Sequence, residues 1–131
     1  MKTILVSSQF AGLHQYLGAP SNVGFLRHPH RHLFHVLVEI KVLHGDSALE
    51  FFTVKEVLDG ILATINTRVG AWDPNPTAEG FQCSLVIQRS CEDLAEFIAK
   101  TLIAELKISI KLIRFVEVSE DGENAGRYYP A

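Results

Sequence analysis

Cysteine is scarce: Cys83 and Cys91 are the only two in 131 residues. Eight positions apart, they fit no C-x-x-C metal or redox pattern, and so few in a chain of this size argue against a disulfide scaffold, so both are read as reduced thiols. Long apolar runs are missing too. Nothing approaches the roughly 20 residues that span a bilayer, and the opening Met1-Lys2-Thr3-Ile4-Leu5-Val6 turns polar at Ser7-Ser8-Gln9, too early for a signal peptide's apolar region. A cytoplasmic protein with no membrane partner is the expectation. Basic blocks are absent: 12 Lys and Arg against 15 Asp and Glu leave a net charge of -3, without the electrostatic footprint by which proteins bind nucleic acid. Neither a Pro/Gly/Ser-rich linker nor an internal repeat interrupts the chain, so residues 1–131 are expected to form a single domain.

What is present is a globular composition, 47% hydrophobic, 9% aromatic and 21% charged. Its periodicities predict strand, strand, helix, helix, strand, strand. Residues 2–12 open with a β-branched run, and residues 32–43 form a long apolar strand in which Phe34, Val36, Val38, Ile40 and Val42 share a face. The stretch 13–31, with Gly18, Pro20, Gly24 and Pro29, is expected to be mostly loop. Val54, Val57, Leu58, Ile61, Leu62 and Ile65 fall on one helical stripe, with Thr53 and Glu56 as a capping box at its start. A second helix has Ser90 as N-cap, Glu92 and Asp93 in its first turn, and an apolar stripe through Leu94, Phe97, Ile98, Leu102 and Leu106. Between the helices, Thr67–Arg89 is a long loop broken by Trp72-Asp73-Pro74-Asn75-Pro76. Residues 108–118 alternate as a strand, 121–126 supply turn chemistry, and Arg127-Tyr128-Tyr129 make a short last strand. The sum is an α+β domain, an antiparallel four-stranded sheet with two helices on one face.

All six histidines, His14, His28, His30, His32, His35 and His44, lie in the first 44 residues. In an extended chain His28, His30 and His32 project to one side, so a His-x-His pair can close on one ion, with a third nitrogen from His14 at the end of the first strand. His35 points to the opposite sheet face. Three neutral imidazoles with a fourth position open are what a catalytic zinc requires; the same spacing also suits separate surface and loop histidines.

Four segments carry a resemblance. Phe10-Ala11-Gly12-Leu13-His14 resembles Phe-x-Ala-Ala-His, and His30-Arg31-His32-Leu33-Phe34-His35-Val36-Leu37-Val38 resembles His-Gly-His-Asn-Tyr-x-Val-x-Val. Ser90-Cys91-Glu92-Asp93-Leu94-Ala95 resembles Thr-Ser-Glu-Asn-Leu-Ala, and Val116-Glu117-Val118-Ser119-Glu120-Asp121 with the downstream Tyr128 resembles Val-x-Val-x-Glu-Thr and its Tyr. These are the patterns of the 6-pyruvoyltetrahydropterin synthase and 6-carboxytetrahydropterin synthase family, matched in order over nearly the whole chain. The resemblance implies the tunnelling fold, whose subunits join their sheets into a barrel as trimers or homohexamers with active sites between subunits. It implies Zn2+ held by His14, His30 and His32, a small-molecule pterin substrate gripped by Glu120, and lyase activity on 7,8-dihydroneopterin triphosphate. A catalytically altered or inactive pterin- or purine-binding oligomer that keeps the metal and the ring-anchoring site is the alternative.

The departures concern the base. The family's cysteine lies four residues before its first paired histidine, a position that is Leu26 here, and residues 19–31 contain neither Glu nor Asp. The family's Asp-His pair after the first helix has at most Asp73-Pro74 as a counterpart. Candidates for the missing catalytic group are His28, Asp73, Cys83 and Cys91, each of which is also an ordinary loop or helix-start residue.

Overall fold

The apolar alternation read from the sequence becomes a sheet with one face buried. The computed structural model describes residues 1–42, 50–68, 87 and 89–131. Within them β1 (Lys2–His14), β2 (His30–Val42), α1 (Phe51–Arg68), α2 (Cys91–Leu106), β3 (Ile113–Glu120) and β4 (Asn124–Tyr128) follow in ββααββ order. The strands form one antiparallel sheet, ordered β1-β2-β3-β4, with Val6 opposite Val38, Phe10 opposite Phe34, and Val36 opposite Val118. Even-numbered positions of β1 and β2 therefore share a face, and Phe34, Val36, Val38 and Ile40 are fully buried there. Both helices cover it: Val54, Leu58 and Ile65 from α1, and Leu94, Ile98 and Leu102 from α2, are buried in the same cluster. Phe10 and Phe34 stack across β1 and β2 with ring centroids 4.9 Å apart, an arrangement that adds to their area burial.

Boundaries differ from expectation where local hydrogen bonds compete with periodicity. β1 and β2 extend to His14 and back to His30, because the ladder continues through the Leu13–Arg31 and His14–His30 pairs. Between them Ser21–Arg27 forms two short 3-10 turns kinked at Val23, not plain loop; Arg27 donates from Nε and Nη2 to the Ala19 carbonyl at 2.8 and 2.6 Å, and Tyr16 N–H donates to Leu26 O at 2.7 Å. α1 begins at Phe51, so Thr53 is inside it and its hydroxyl donates to the Glu50 carboxylate at 3.3 Å instead of capping. Ser90 caps α2 as expected, accepting from Asp93 N–H at 3.2 Å. After Lys107, in the left-handed region at φ 53, Ser109 caps a one-turn 3-10 helix, Ile110–Leu112, and this delays β3 to Ile113. The β3–β4 hairpin turns in three residues, with Asp121 (φ 54) and Gly122 (φ 73) both left-handed, so β4 starts at Asn124, earlier than the turn-rich sequence suggests. Leu43, His44, Asp73, Pro74 and Cys83, and with them most of the expected interhelical loop, lie outside the described residues.

Candidate metal centre

The buried face of the sheet ends in histidine. In the β1–β2 ladder His14 is opposite His30, and His32 is next on the same face beside Phe34; the rings of His14 and His32 stand edge-on to Phe34 at 6.3 and 5.9 Å. Main-chain bonds between Leu13, Gln15 and Ile87, at 2.8 and 2.9 Å, hold the end of β1 in place. One ring nitrogen from each of His14, His30 and His32 lies within 4.8 Å of the others.

The outer nitrogens determine what the inner ones can do. His14 Nε2 donates to Arg89 O at 3.1 Å, His30 Nδ1 to His28 O at 2.8 Å, and His32 Nδ1 to Asp121 Oδ2 at 2.6 Å. All three acceptors are oxygens, so in each neutral ring the outer nitrogen carries the proton and the inner one a lone pair. His14 Nδ1 and His30 Nε2 consequently face each other as two acceptors 3.4 Å apart. His32 Nε2 is buried without a hydrogen-bond partner. A converging set of lone pairs with nothing to accept from is what a cation satisfies. Two nitrogens bound to one tetrahedral zinc at 2.0–2.1 Å would be about 3.3 Å apart, close to the 3.4 Å between His14 and His30. Burial holds the His14 pKa below the ordinary histidine value, with His30 and His32 acting in the same direction against Glu120 and the Arg89 carbonyl. The ring therefore stays neutral and able to ligate.

Glu120 stands on the same cluster. Its Oε1 is 3.7 Å from His14 Nδ1 and its Oε2 3.7 Å from His32 Nε2. The Cys91 thiol, at the first residue of α2, is hydrogen-bonded to this carboxylate and its pKa is pushed up to about 12, by burial first and then by Glu120. Both residues line a cavity of about 530 Å³ with His14, His30, Leu26, Glu92, Asp93 and Asn124 among its walls, a size that suits a small-molecule ligand. The chemistry available is metal ligation at one wall, with a carboxylate and a protonated thiol beside it.

Of the residues expected at the site, His14, His30, His32, Glu120 and Cys91 come together. The imidazole of His28 is exposed and does not line the cavity; its contribution is the carbonyl that orients His30. His35 falls on the other sheet face, as the alternation requires, lining a separate depression with Ser7 and Lys55. Asp73 and Cys83 lie outside the described residues. Leu26 does line the cavity, so an apolar side chain occupies the wall that the family resemblance assigns to a base. Sequence reading missed the acceptors behind the histidines. Two are main-chain carbonyls with no sequence signal, and the third, Asp121, reads from sequence only as a turn residue.

No family model matches the sequence, and no curated protein is similar to it. Solved structures are. A 6-pyruvoyl tetrahydropterin synthase from Caenorhabditis elegans matches with a TM-score of 0.64 at 13% identity, over 98% of this chain and 94% of that one. An uncharacterised protein from Wolinella succinogenes matches with a TM-score of 0.63 at 18% identity, over 98% of this chain and 97% of that one. The chain thus has the fold of a 6-pyruvoyl tetrahydropterin synthase, spanned almost end to end.

Proposed function

We propose that the chain is a 6-pyruvoyltetrahydropterin synthase-like or 6-carboxytetrahydropterin synthase-like zinc lyase acting on 7,8-dihydroneopterin triphosphate, with His14, His30 and His32 as the zinc ligands. One observation carries the proposal: a ring nitrogen from each of three imidazoles lies within 4.8 Å of the others while every outer nitrogen is committed to an oxygen acceptor. The fold it shares with a pterin synthase gives that cluster its chemical context. Zinc held there would polarise a substrate side-chain hydroxyl or carbonyl and acidify the protons beside it.

The protein groups supply the rest. Glu120 lies 3.7 Å from two ligand nitrogens, where it would accept a hydrogen bond from a bound pterin. Of the carboxylates lining the cavity, Glu120 is the one beside the ligand nitrogens and so the candidate to take a proton, a role the Cys91 thiol, protonated at neutral pH, does not fill. A positioned base is worth about 10² to 10⁴ in rate, so this pair decides between a competent enzyme and a slow one. Among the described residues β1 and β4 are the edge strands of the sheet, with β1 bonded to Ile87 at its end, and we propose that these edges pair with further copies in a trimeric or hexameric barrel, which removes unpaired strand edges.

A second reading, a pterin- or purine-binding oligomer without elimination chemistry, is favoured by two features of the cavity. Leu26 lines it, and among the described residues no Lys or Arg does, so no described cation faces a triphosphate there. Incubation of zinc-loaded protein with 7,8-dihydroneopterin triphosphate, followed by mass spectrometry of the pterin and of released triphosphate, separates the two. Release of triphosphate that is lost in Glu120→Gln supports the lyase. Recovery of intact substrate from protein that holds zinc and retains the pterin supports binding alone.

A further inference from the structure

We propose that Asp121 is a positioning residue for the metal centre: by accepting from His32 Nδ1–H it fixes the tautomer that presents His32 Nε2 to the ion. The inference rests on the zinc reading above. The family pattern has Thr at this place, so the device belongs to this chain's own residues.

Asp121 is anchored on both sides. Its N–H donates to Leu33 O at 2.7 Å, and its Oδ1 accepts from Leu33 N–H at 2.8 Å, a reciprocal pair that ties the hairpin loop to the main chain next to His32. The left-handed backbone at Asp121 (φ 54), a conformation that Asp tolerates better than most residues, brings the carboxylate back over β2. With Oδ1 used, Oδ2 is left for His32 Nδ1 at 2.6 Å, a short charge-assisted bond. His32 Nε2 is the buried nitrogen without a partner. A carboxylate behind a ligating imidazole orients the ring and makes it more basic, and its loss costs about 10- to 100-fold in metal affinity.

Asp121→Asn keeps the shape and removes the charge. Its single amide oxygen serves Leu33 N–H or His32 Nδ1–H, not both, and the NH2 that faces His32 drives the proton to Nε2, where it blocks ligation. Asp121→Ala removes the acceptor altogether. The expected result is a 10- to 100-fold loss of Zn2+ affinity in both variants by chelator competition. In metal-free protein, ¹⁵N NMR should find the parent's His32 as the Nδ1–H form, with the Nε2–H form gaining population in the variants. A parent His32 protonated on Nε2, or two folded variants that bind Zn2+ as tightly as the parent, overturns the proposal. Failure of the parent to bind Zn2+ refutes the zinc reading itself. The NMR assignment separates that failure from one confined to Asp121, and thermal melts of metal-free protein separate both from a folding defect.

Discussion

Two glycines give opposite expectations for the same substitution. At Gly126 in β4, an added Cβ would lie 2.6 Å from Glu92 N, 2.9 Å from Glu92 Oε2 and 3.0 Å from Glu92 Cα. Carbon contacts relax at about 3.5–4.0 Å, so Gly126→Ala must push strand and helix apart by about 1 Å. The nearest atoms are helix backbone, so a side-chain rotation cannot relieve the clash. Overpacking of this kind costs about 1–3 kcal/mol, or a fall in Tm of roughly 3–15 °C for a chain of this size. Gly60, inside α1, has nothing within 4 Å of the equivalent Cβ, and Gly60→Ala should raise stability by about 0.5–1 kcal/mol through helix propensity alone. Urea or thermal unfolding of both variants, with circular dichroism as the probe, measures the pair. Because Glu92, Asn124 and Ala125 line the cavity, Gly126→Ala should also weaken ligand binding there. A Gly126→Ala protein that unfolds with the parent would show that β4 does not approach the start of α2 this closely, and the cavity geometry would fall with it.

Cys91 should resist alkylation: with its pKa near 12, a Cys83→Ser background should react with iodoacetamide at pH 8 about 10³-fold more slowly than a free cysteine. Glu120→Gln should speed that labelling, since it removes the charge that raises the thiol while leaving the burial; an unchanged rate would refute the Cys91–Glu120 contact. Ser90→Ala should cost about 1 kcal/mol in urea unfolding by uncapping α2, and a change below a few tenths would mean that the cap bond to Asp93 N–H is not made in solution.

Much of the architecture was legible because the relevant forces are local and periodic. The alternation from Phe34 to Ile40 and the stripe from Val54 to Ile65 each name a buried face, and both faces are buried together. Element ends were less legible. Ser109 and the left-handed Lys107 redirect the chain before β3, and Thr53 lost its capping role to a helix that starts earlier. At the site, the strand period brought His30 and His32 to one side, while His14 joined them through a ladder register that a sequence pattern does not state. What could not be read were the partners behind the rings. Arg89 O and His28 O are main chain, and Asp121 lies 89 positions from His32, so its role exists only once β3 pairs with β2.

Whether His14, His30 and His32 form one metal site is read from Zn2+ stoichiometry and affinity, by competitive titration of the purified protein. One Zn2+ per chain is expected, with binding that collapses in His14→Ala, His30→Ala and His32→Ala and is unaffected by His35→Ala on the opposite sheet face. No stoichiometric Zn2+ in the parent, or equal loss in His35→Ala, would contradict it.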